Sequence, residues 1–235
     1  MFAIYKRELR SYFVSPIGYV FFAVIIALSA AIFSISTLFA ASNDVSQYFE
    51  TMLFVLMIAL PLLTMKLFAE ERKLKTEQLL LTSPVSIGGM VMAKFFAAFT
   101  LYFIANMLCS IAYISLFTFS EPEGGIILGN IIALTLVGAA FIAIGLFVSA
   151  LTENQLAAAI GTFAIILAML LISVLNSFIP VYSIRFVLSW FSMLSRYQNF
   201  TEGFFDFAGL IYYASICFVF LFVTCRVYER RRYGA

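Results

Sequence analysis

The chain has 235 residues, of which 64% are hydrophobic and only 11% are charged, and its formal net charge is +2 with no histidine. About a quarter of the residues of a soluble domain are charged, so this composition excludes one and indicates an integral membrane protein. Without histidine there are no Ser-His or Cys-His nucleophilic pairs and no histidine-ligated metal. The sequence also lacks the phosphate loop GxxxxGK(S/T). We therefore predict that the chain is not an enzyme and holds no catalytic, cofactor or metal site.

The first segment, about residues 1–14, has aromatic and apolar residues on one helical face and its charges largely away from that face. This pattern predicts a helix lying in the membrane interface; an ordinary charged flank of the first span is the alternative. Its charges continue to Arg10 and the apolar run after it is long, which is not typical of a cleaved signal, so we expect the segment to stay attached. Ser15 and Pro16 predict a bend before the first span.

Six apolar runs are long enough to cross a bilayer, which takes about 20 helical residues. Because unbroken apolar runs lack the alternation of a membrane barrel, we predict an all-α membrane protein with six transmembrane helices in a single domain, residues 1–235. The spans lie at about 17–41, 51–69, 95–119, 126–151, 156–182 and 207–225.

Lysine and arginine divide unequally between the two sides of these spans. With the N-terminus inside, 12 of the 14 basic residues lie on the inner side, and only Arg185 and Arg196 lie outside. Basic residues near span ends are retained in the cytoplasm, so we predict a multi-pass protein of the inner (cytoplasmic) membrane with both termini cytoplasmic. This topology accounts for the basic residues, and we expect no nucleic-acid partner.

The loop between spans two and three, about residues 70–94, contains most of the most charged stretch of the chain. Residues 66–77 hold seven of the 26 charged side chains. The segment Glu70–Leu81 predicts a short amphipathic helix that stops near Pro84. Such a helix either floats on lipid headgroups or docks a soluble partner, and we favour docking.

Two details of this stretch can be predicted from spacing alone. Glu71 and Lys75 are four residues apart and predict a favourable pair on one face of that helix. Lys66, at the end of span two, is expected to extend its ammonium to the headgroups.

The fifth span carries a stripe of small residues at helical spacing, namely Ala157, Gly161, Ala164 and Ala168. Small residues allow close approach of helix backbones, so the stripe predicts packing within the chain or, alternatively, the seam of a dimer. The outer segment after this span, about residues 183–206, is long and rich in aromatic residues. It predicts re-entrant helices over the outer end of the bundle, with an interfacial aromatic belt as the alternative.

Three stretches together carry a family resemblance. They are the N-terminal IYKRELRSYFVSPIGYVF, the loop EERKLKTEQLLLTSPVS followed by Lys94, and the outer segment LSWFSMLSRYQNFTEGFFDFAGLIYY. In these stretches the chain resembles the permease subunit of ABC type-2 exporters, and the gliding-motility-associated branch in particular.

The resemblance implies that two six-helix permease copies pair, as a homodimer, and that each docks a separate ATP-binding subunit, which binds the ATP and magnesium. A membrane-anchored extracytoplasmic auxiliary subunit is a further partner that the gliding-associated branch implies. In this family the loop after span two forms a coupling helix that contacts the ATPase. The residues that fall on the coupling motif are Glu70, Arg72, Thr76, Glu77, Leu80 and Pro84.

Other residues are assigned by the same resemblance. The interfacial helix would brace the coupling helix, which places its charged residues Lys6, Arg7, Glu8 and Arg10 nearby. A second, smaller cytoplasmic contact falls on Glu153, Asn154 and Gln155. Spans two and five would reshape a central path, and the candidate pathway residues are Phe54, Leu56, Ile58, Ile172, Asn176 and Phe178.

The function implied is ATP-driven export of a hydrophobic or amphipathic substrate. No acid or base lies at mid-membrane in the predicted spans, which counts against an ion-coupled carrier and a conventional ion channel. Two alternatives stay open. One is an ABC-type mechanotransmission or scaffold complex that acts on an extracytoplasmic partner without transport, and the other is an ATP-independent channel or flippase.

Overall fold

The computed structural model describes residues 1–39, 45–78, 85–113, 124–178, 192–201 and 206–233, and the regular structure within these ranges is entirely helical. The helices are α1 (Phe2–Val14), α2 (Pro16–Phe33, continued by a π-helical segment Ser34–Phe39), α3 (Ser46–Thr64), α4 (Ala69–Lys73), α5 (Ile87–Ser110), α6 (Gly124–Leu151), α7 (Gln155–Phe178), α8 (Met193–Thr201) and α9 (Phe207–Tyr233). Six of the described helices, α2, α3, α5, α6, α7 and α9, are long and apolar enough to cross a membrane. The prediction of an all-α protein with six helices of membrane-spanning length and composition is confirmed.

Spans three and six extend further than the apolar runs alone indicate. Helix α5 begins at Ile87, where the hydroxyl of Ser86 accepts a hydrogen bond from the Gly89 N–H at 3.2 Å, whereas the apolar run begins at about residue 95. Helix α9 continues past residue 225 to Tyr233 and carries the arginines of the C-terminal segment in helical form. Both extensions are helical turns that contain charged residues. The apolar run in the sequence stops at these charges, although the helix continues through them.

Helix α6 is the centre of the bundle and contacts α3, α5, α7, α8 and α9. Two of its glycines allow close packing. The ring of Tyr102 fills the space where a Cβ on Gly138 would stand, and the side chain of Thr64 does the same at Gly145. The hydroxyl of Tyr102 donates a hydrogen bond to the Leu134 carbonyl at 2.6 Å, which fixes the ring in this position.

Helix α1 packs beside α5 and α2, with Ile4 and Tyr12 buried. The Tyr12 hydroxyl donates to the carbonyl of Leu63 at 3.2 Å. Ser15 is extended and Pro16 occupies the first turn of α2, which confirms the predicted bend. The location of α1 in a membrane interface stays a prediction.

Helix α8 covers the opposite end of the bundle, where it contacts α3, α6 and α7. The hydroxyl of Tyr197 donates to the Phe49 carbonyl at 3.0 Å, and that of Tyr213 donates to the Met193 carbonyl at 2.9 Å. Residues 183–191 and 202–205 of the predicted re-entrant segment lie outside the described residues, so the re-entrant arrangement stays a prediction.

The small-residue stripe of α7 faces largely away from the bundle. Ala157, Ala164 and Ala168 are exposed, and Gly161 is partly buried. Most of the stripe is therefore not used for packing within the described part of the chain.

Candidate functional site

A buried lysine organises the end of the bundle where α3, α6 and α9 finish. Lys94 lies in the second turn of α5 with 0% of its side chain exposed. Its ammonium donates to the Leu67 carbonyl at 2.7 Å and pairs with Glu8 at 3.2 Å and with Glu71 at 3.0 Å. Two of the three ammonium donors thus have hydrogen-bond acceptors, and the carboxylate of Glu71 adds an opposite charge, so the burial of this charge is largely compensated.

Arg7 completes this group, which we call the Lys94 cluster (Arg7, Glu8, Glu71 and Lys94). Its guanidinium bridges the two acids, at 2.6 Å from Glu8 and 2.8 Å from Glu71. Burial by itself would raise the pKa of Glu8. The positive charges of Lys94 and Arg7 lower the pKa by more than burial raises it, so it lies below its ordinary value of 4.5. Two cations and two anions thus join α1, α4 and α5.

A second group, the Arg231 cluster, consists of Arg72, Glu77, Glu153 and Arg231. Arg72 pairs with Glu153 at 2.9 Å and with Glu77 at 3.5 Å. Arg231, on α9, pairs with the same Glu77 at 3.1 Å. Residues from α4, α9 and the turn before α7 meet in this cluster, together with Glu77 from the segment after α4.

The Arg231 cluster also caps α6. The last four carbonyls of a helix have no partner within the helix, and basic side chains often supply one. Arg72 donates to the Leu151 carbonyl at 2.9 Å, and Arg231 donates to the Ala150 carbonyl at 2.8 Å. The two arginines therefore hold consecutive carbonyls at the end of the central helix.

Ser149 of α6 fixes the start of α4. Its buried hydroxyl accepts hydrogen bonds from the N–H groups of Phe68 and Ala69 at 3.0 Å and 3.1 Å and donates to the Met65 carbonyl at 3.1 Å. Because Glu71 and Arg72 are adjacent in α4, the two clusters are joined through this anchored helix. The sequence gives no sign of this role, since a serine inside an apolar span has no pattern that marks a partner.

The loop helix is shorter than predicted, and this corrects the continuous helix over Glu70–Leu81. Helix α4 ends at Lys73, and Lys75 has a φ of 57°, in the left-handed region. The N–H of Thr76 bonds to the Glu71 carbonyl at 2.9 Å and that of Lys75 to the Arg72 carbonyl at 3.0 Å, which is the hydrogen-bond pattern of a Schellman C-cap. The predicted Glu71–Lys75 pair is wrong for the same reason: Lys75 has left the helix, and Glu71 pairs with Arg7 and Lys94 instead.

The predicted coupling residues are placed as follows. Arg72 and Glu77 lie in the Arg231 cluster. Glu70 is partly buried beside the Lys94 cluster, and the exposed Thr76 bonds through its hydroxyl to the Glu71 carbonyl at 3.3 Å. Leu80 and Pro84 lie outside the described residues.

Of the predicted interfacial residues, Arg7 and Glu8 join the Lys94 cluster, whereas Lys6 and Arg10 are exposed. In the turn before α7, Glu153 reaches Arg72. Asn154 caps α7, because its side-chain oxygen accepts from the Leu156 N–H at 3.0 Å. Gln155 begins the helix.

The candidate pathway residues do not converge on one cavity in the described part of the chain. Phe54 and Ile58 are 49% and 56% exposed on the outer face of α3, whereas Leu56 is 1% exposed in the core. Ile172 and Asn176 are partly buried on α7, and the side chain of Phe178 lies outside the description.

Besides Ser149, two contributors to the site have no role assigned by the sequence. Lys94 is predicted only to open span three, and Arg231 is predicted only as one of several C-terminal basic residues. A single lysine enclosed by apolar residues on both sides is the signal that could have identified Lys94 as a buried, paired charge. The role of Arg231 has no such signal, since it depends on α9 lying against α6.

No protein-family model matches this chain, and a search of curated proteins found no match either.

Proposed function

We propose that this chain is the membrane-spanning permease subunit of an ATP-driven ABC exporter, working as a dimer with separate ATP-binding subunits to move a hydrophobic or amphipathic substrate. The observation that carries the proposal is the pair of joined charged clusters at one end of the bundle. They link a short loop helix to α1, α5, α6 and α9 through salt bridges and capped carbonyls. A permease needs such a rigid connection in order to pass force from a soluble ATPase into its membrane helices.

The surface beside this connection supports a docking role. Leu74, just after α4, is 64% exposed, although Glu71 and Arg72 within that helix are held by ion pairs. An apolar side chain surrounded by a polar rim is an arrangement that a protein partner could cover. The inner-membrane location, with both termini in the cytoplasm, is part of this proposal and places the clusters on the ATPase side.

Dimer formation is supported by the outward small-residue stripe of α7. Because Ala157, Ala164 and Ala168 have small side chains, a helix of a second copy could pack closely against them. A surface of large side chains would keep the two helix backbones further apart. Re-entrant helices near α8, and an auxiliary subunit that contacts them, are the extracytoplasmic part of the same proposal.

The first test is purification of the tagged chain from its own cells in a mild detergent, with mass spectrometry of the co-purified proteins and an ATPase assay. We expect a subunit that carries a phosphate loop and hydrolyses ATP. Arg72→Ala and Glu77→Ala should each weaken the association, because they free the loop from α6 and α9. The matched control is Arg226→Ala, since Arg226 belongs to an exposed pair with Glu229 on the same end of α9.

The proposal is overturned if the chain purifies without an ATPase, or if Arg72→Ala and Glu77→Ala retain full association. A second assay separates the alternatives. Substrate movement in proteoliposomes that needs ATP supports an exporter. ATP hydrolysis without movement supports mechanotransmission, and movement without the ATPase supports a channel or flippase.

A further inference from the structure

An apolar groove runs along the outer surface of the bundle between α2 and α3. Its volume is about 400 Å³. Val20, Val24 and Leu28 line it from α2, and Ile58 and Leu62 line it from α3. Because both helices are membrane-spanning candidates, the groove opens to the hydrocarbon of the bilayer.

A polar cleft of about 640 Å³ begins where this groove ends. Pro16 and Met65 line the groove. Their neighbours in the chain, Ser15 and Lys66, line the cleft. The ammonium of Lys66 donates to the Ser15 hydroxyl at 3.2 Å, so this contact marks the border between the two.

Lys66 and Glu70 are the charges of the cleft that are left without an ion pair among the described residues. The other charges there, Arg7, Glu8, Glu71 and Lys94, pair with one another. The Lys66 ammonium lies 5.0 Å from the centre of the Tyr12 ring, next to the groove. Glu70 follows one helical turn later, with its N–H 3.4 Å from the Lys66 carbonyl. An apolar groove, a cation and an anion therefore follow one another along this part of the chain.

We propose that this composite site binds a phospholipid with an ammonium-bearing headgroup, namely phosphatidylethanolamine from the leaflet on the side of the charged clusters. One acyl chain would occupy the groove, the phosphate would pair with Lys66, and the ammonium would pair with Glu70. The order of groups in the lipid matches the order of groups in the site. Phosphatidylglycerol lacks the cation for Glu70, and the trimethylammonium of phosphatidylcholine cannot donate a hydrogen bond to it. This inference is independent of the proposed exporter function.

Native mass spectrometry of the purified chain with each of the three lipids tests the site without any substitution. We expect phosphatidylethanolamine to bind at least about tenfold more tightly than the other two, since a hydrogen bond to a charged group is worth about that factor. Glu70→Gln should remove this preference and keep residual binding. Lys66→Gln should lower the binding of all three lipids, whereas Lys66→Arg should retain it.

Two matched controls separate the site from general detergent or lipid contact. Lys73→Gln removes an exposed cation of the same loop and should change nothing. Val24→Trp fills the groove and should reduce lipid binding, whereas Ile211→Trp, on an exposed face of α9, should not.

Equal binding of the three lipids by the unaltered chain overturns the proposal, as does full binding by Lys66→Gln. If Val24→Trp instead converts a dimer into a monomer and leaves lipid binding intact, the groove is a protein interface and the proposal is wrong.

Discussion

The ammonium of Lys94 lies 2.7 Å from the carbonyl oxygen of Leu67, so a fully buried charge on α5 holds the turn that connects α3 to α4. This contact fixes the start of the loop between spans two and three within the chain itself, without any partner.

Replacing Lys94 by methionine tests this anchoring. The change leaves Glu8 and Glu71 with Arg7 as their remaining cation, and breaking a buried ion pair costs about 3–5 kcal/mol. We expect a clear drop in the thermal unfolding temperature, measured by circular dichroism in detergent. The control is Lys6→Met on the exposed side of α1, which should stay within about 0.5 kcal/mol of the unaltered chain. Equal stability of the two variants would contradict the role of Lys94.

Glu8 predicts a pH dependence with a definite sign. Because the pKa of Glu8 in the folded state lies below 4.5, its stabilising contribution is complete above that pH and is lost as the pH falls through the folded value. Acidification below pH 4.5 should therefore destabilise the unaltered chain more steeply than Glu8→Gln. Unfolding temperatures across this range measure the difference, and parallel curves would disprove it.

Arg231→Met should release the C-terminal turns of α9 from α6. The variant loses the bond to the Ala150 carbonyl and the pair with Glu77, while the helix itself remains. Hydrogen exchange at residues 226–233 should become faster, with little change at the N-terminal half of α9. Arg230→Met, at an exposed neighbouring position, serves as the control and should leave exchange unchanged.

The left-handed backbone at Lys75 predicts opposite effects of glycine at two nearby lysines. Lys75→Gly relieves a conformation that L-residues rarely adopt and should stabilise the chain by up to about 1 kcal/mol. Lys73→Gly, at the last helical residue of α4, should destabilise it by up to about 1 kcal/mol. Chemical denaturation in mixed micelles can compare the two, and the same sign for both would contradict the C-cap geometry.

Gly145→Ala tests the close packing of α6 on α3. An added methyl would collide with the buried side chain of Thr64, and overpacking of this kind costs about 1–3 kcal/mol. Gly125→Ala adds the same methyl to the same helix at a position with nothing within 4 Å and should be neutral or slightly stabilising. Unfolding temperatures of both variants check the contrast.

The sequence predicted most of what depends on local composition. Long apolar runs define membrane helices wherever they occur, so the six spans and the bend at Pro16 could be read from the chain. The stretch that carries Arg72 and Glu77 could also be found, because its charge density is unusual for this chain.

What the sequence did not predict depends on which helices are neighbours. Local spacing predicts an ion pair between Glu71 and Lys75. The actual partners of Glu71 are Arg7 from α1 and Lys94 from α5. A buried cation compensated by residues far apart in the chain cannot be identified from a window of sequence. The same applies to Ser149, whose hydroxyl reaches across to the start of α4.

Arg72 and Arg231 donate to neighbouring carbonyls of α6 and share Glu77 between them. If either arginine were displaced alone, a carbonyl would lose its partner and Glu77 would lose one of its two counter-charges, at a cost of about 1–3 kcal/mol. We therefore expect a tilt of α9 to shift the loop, and a displacement of the loop to shift α9. In mechanical terms the last turn of α6 is a shared attachment point, so the loop helix α4 and the C-terminal turns of α9 should move together.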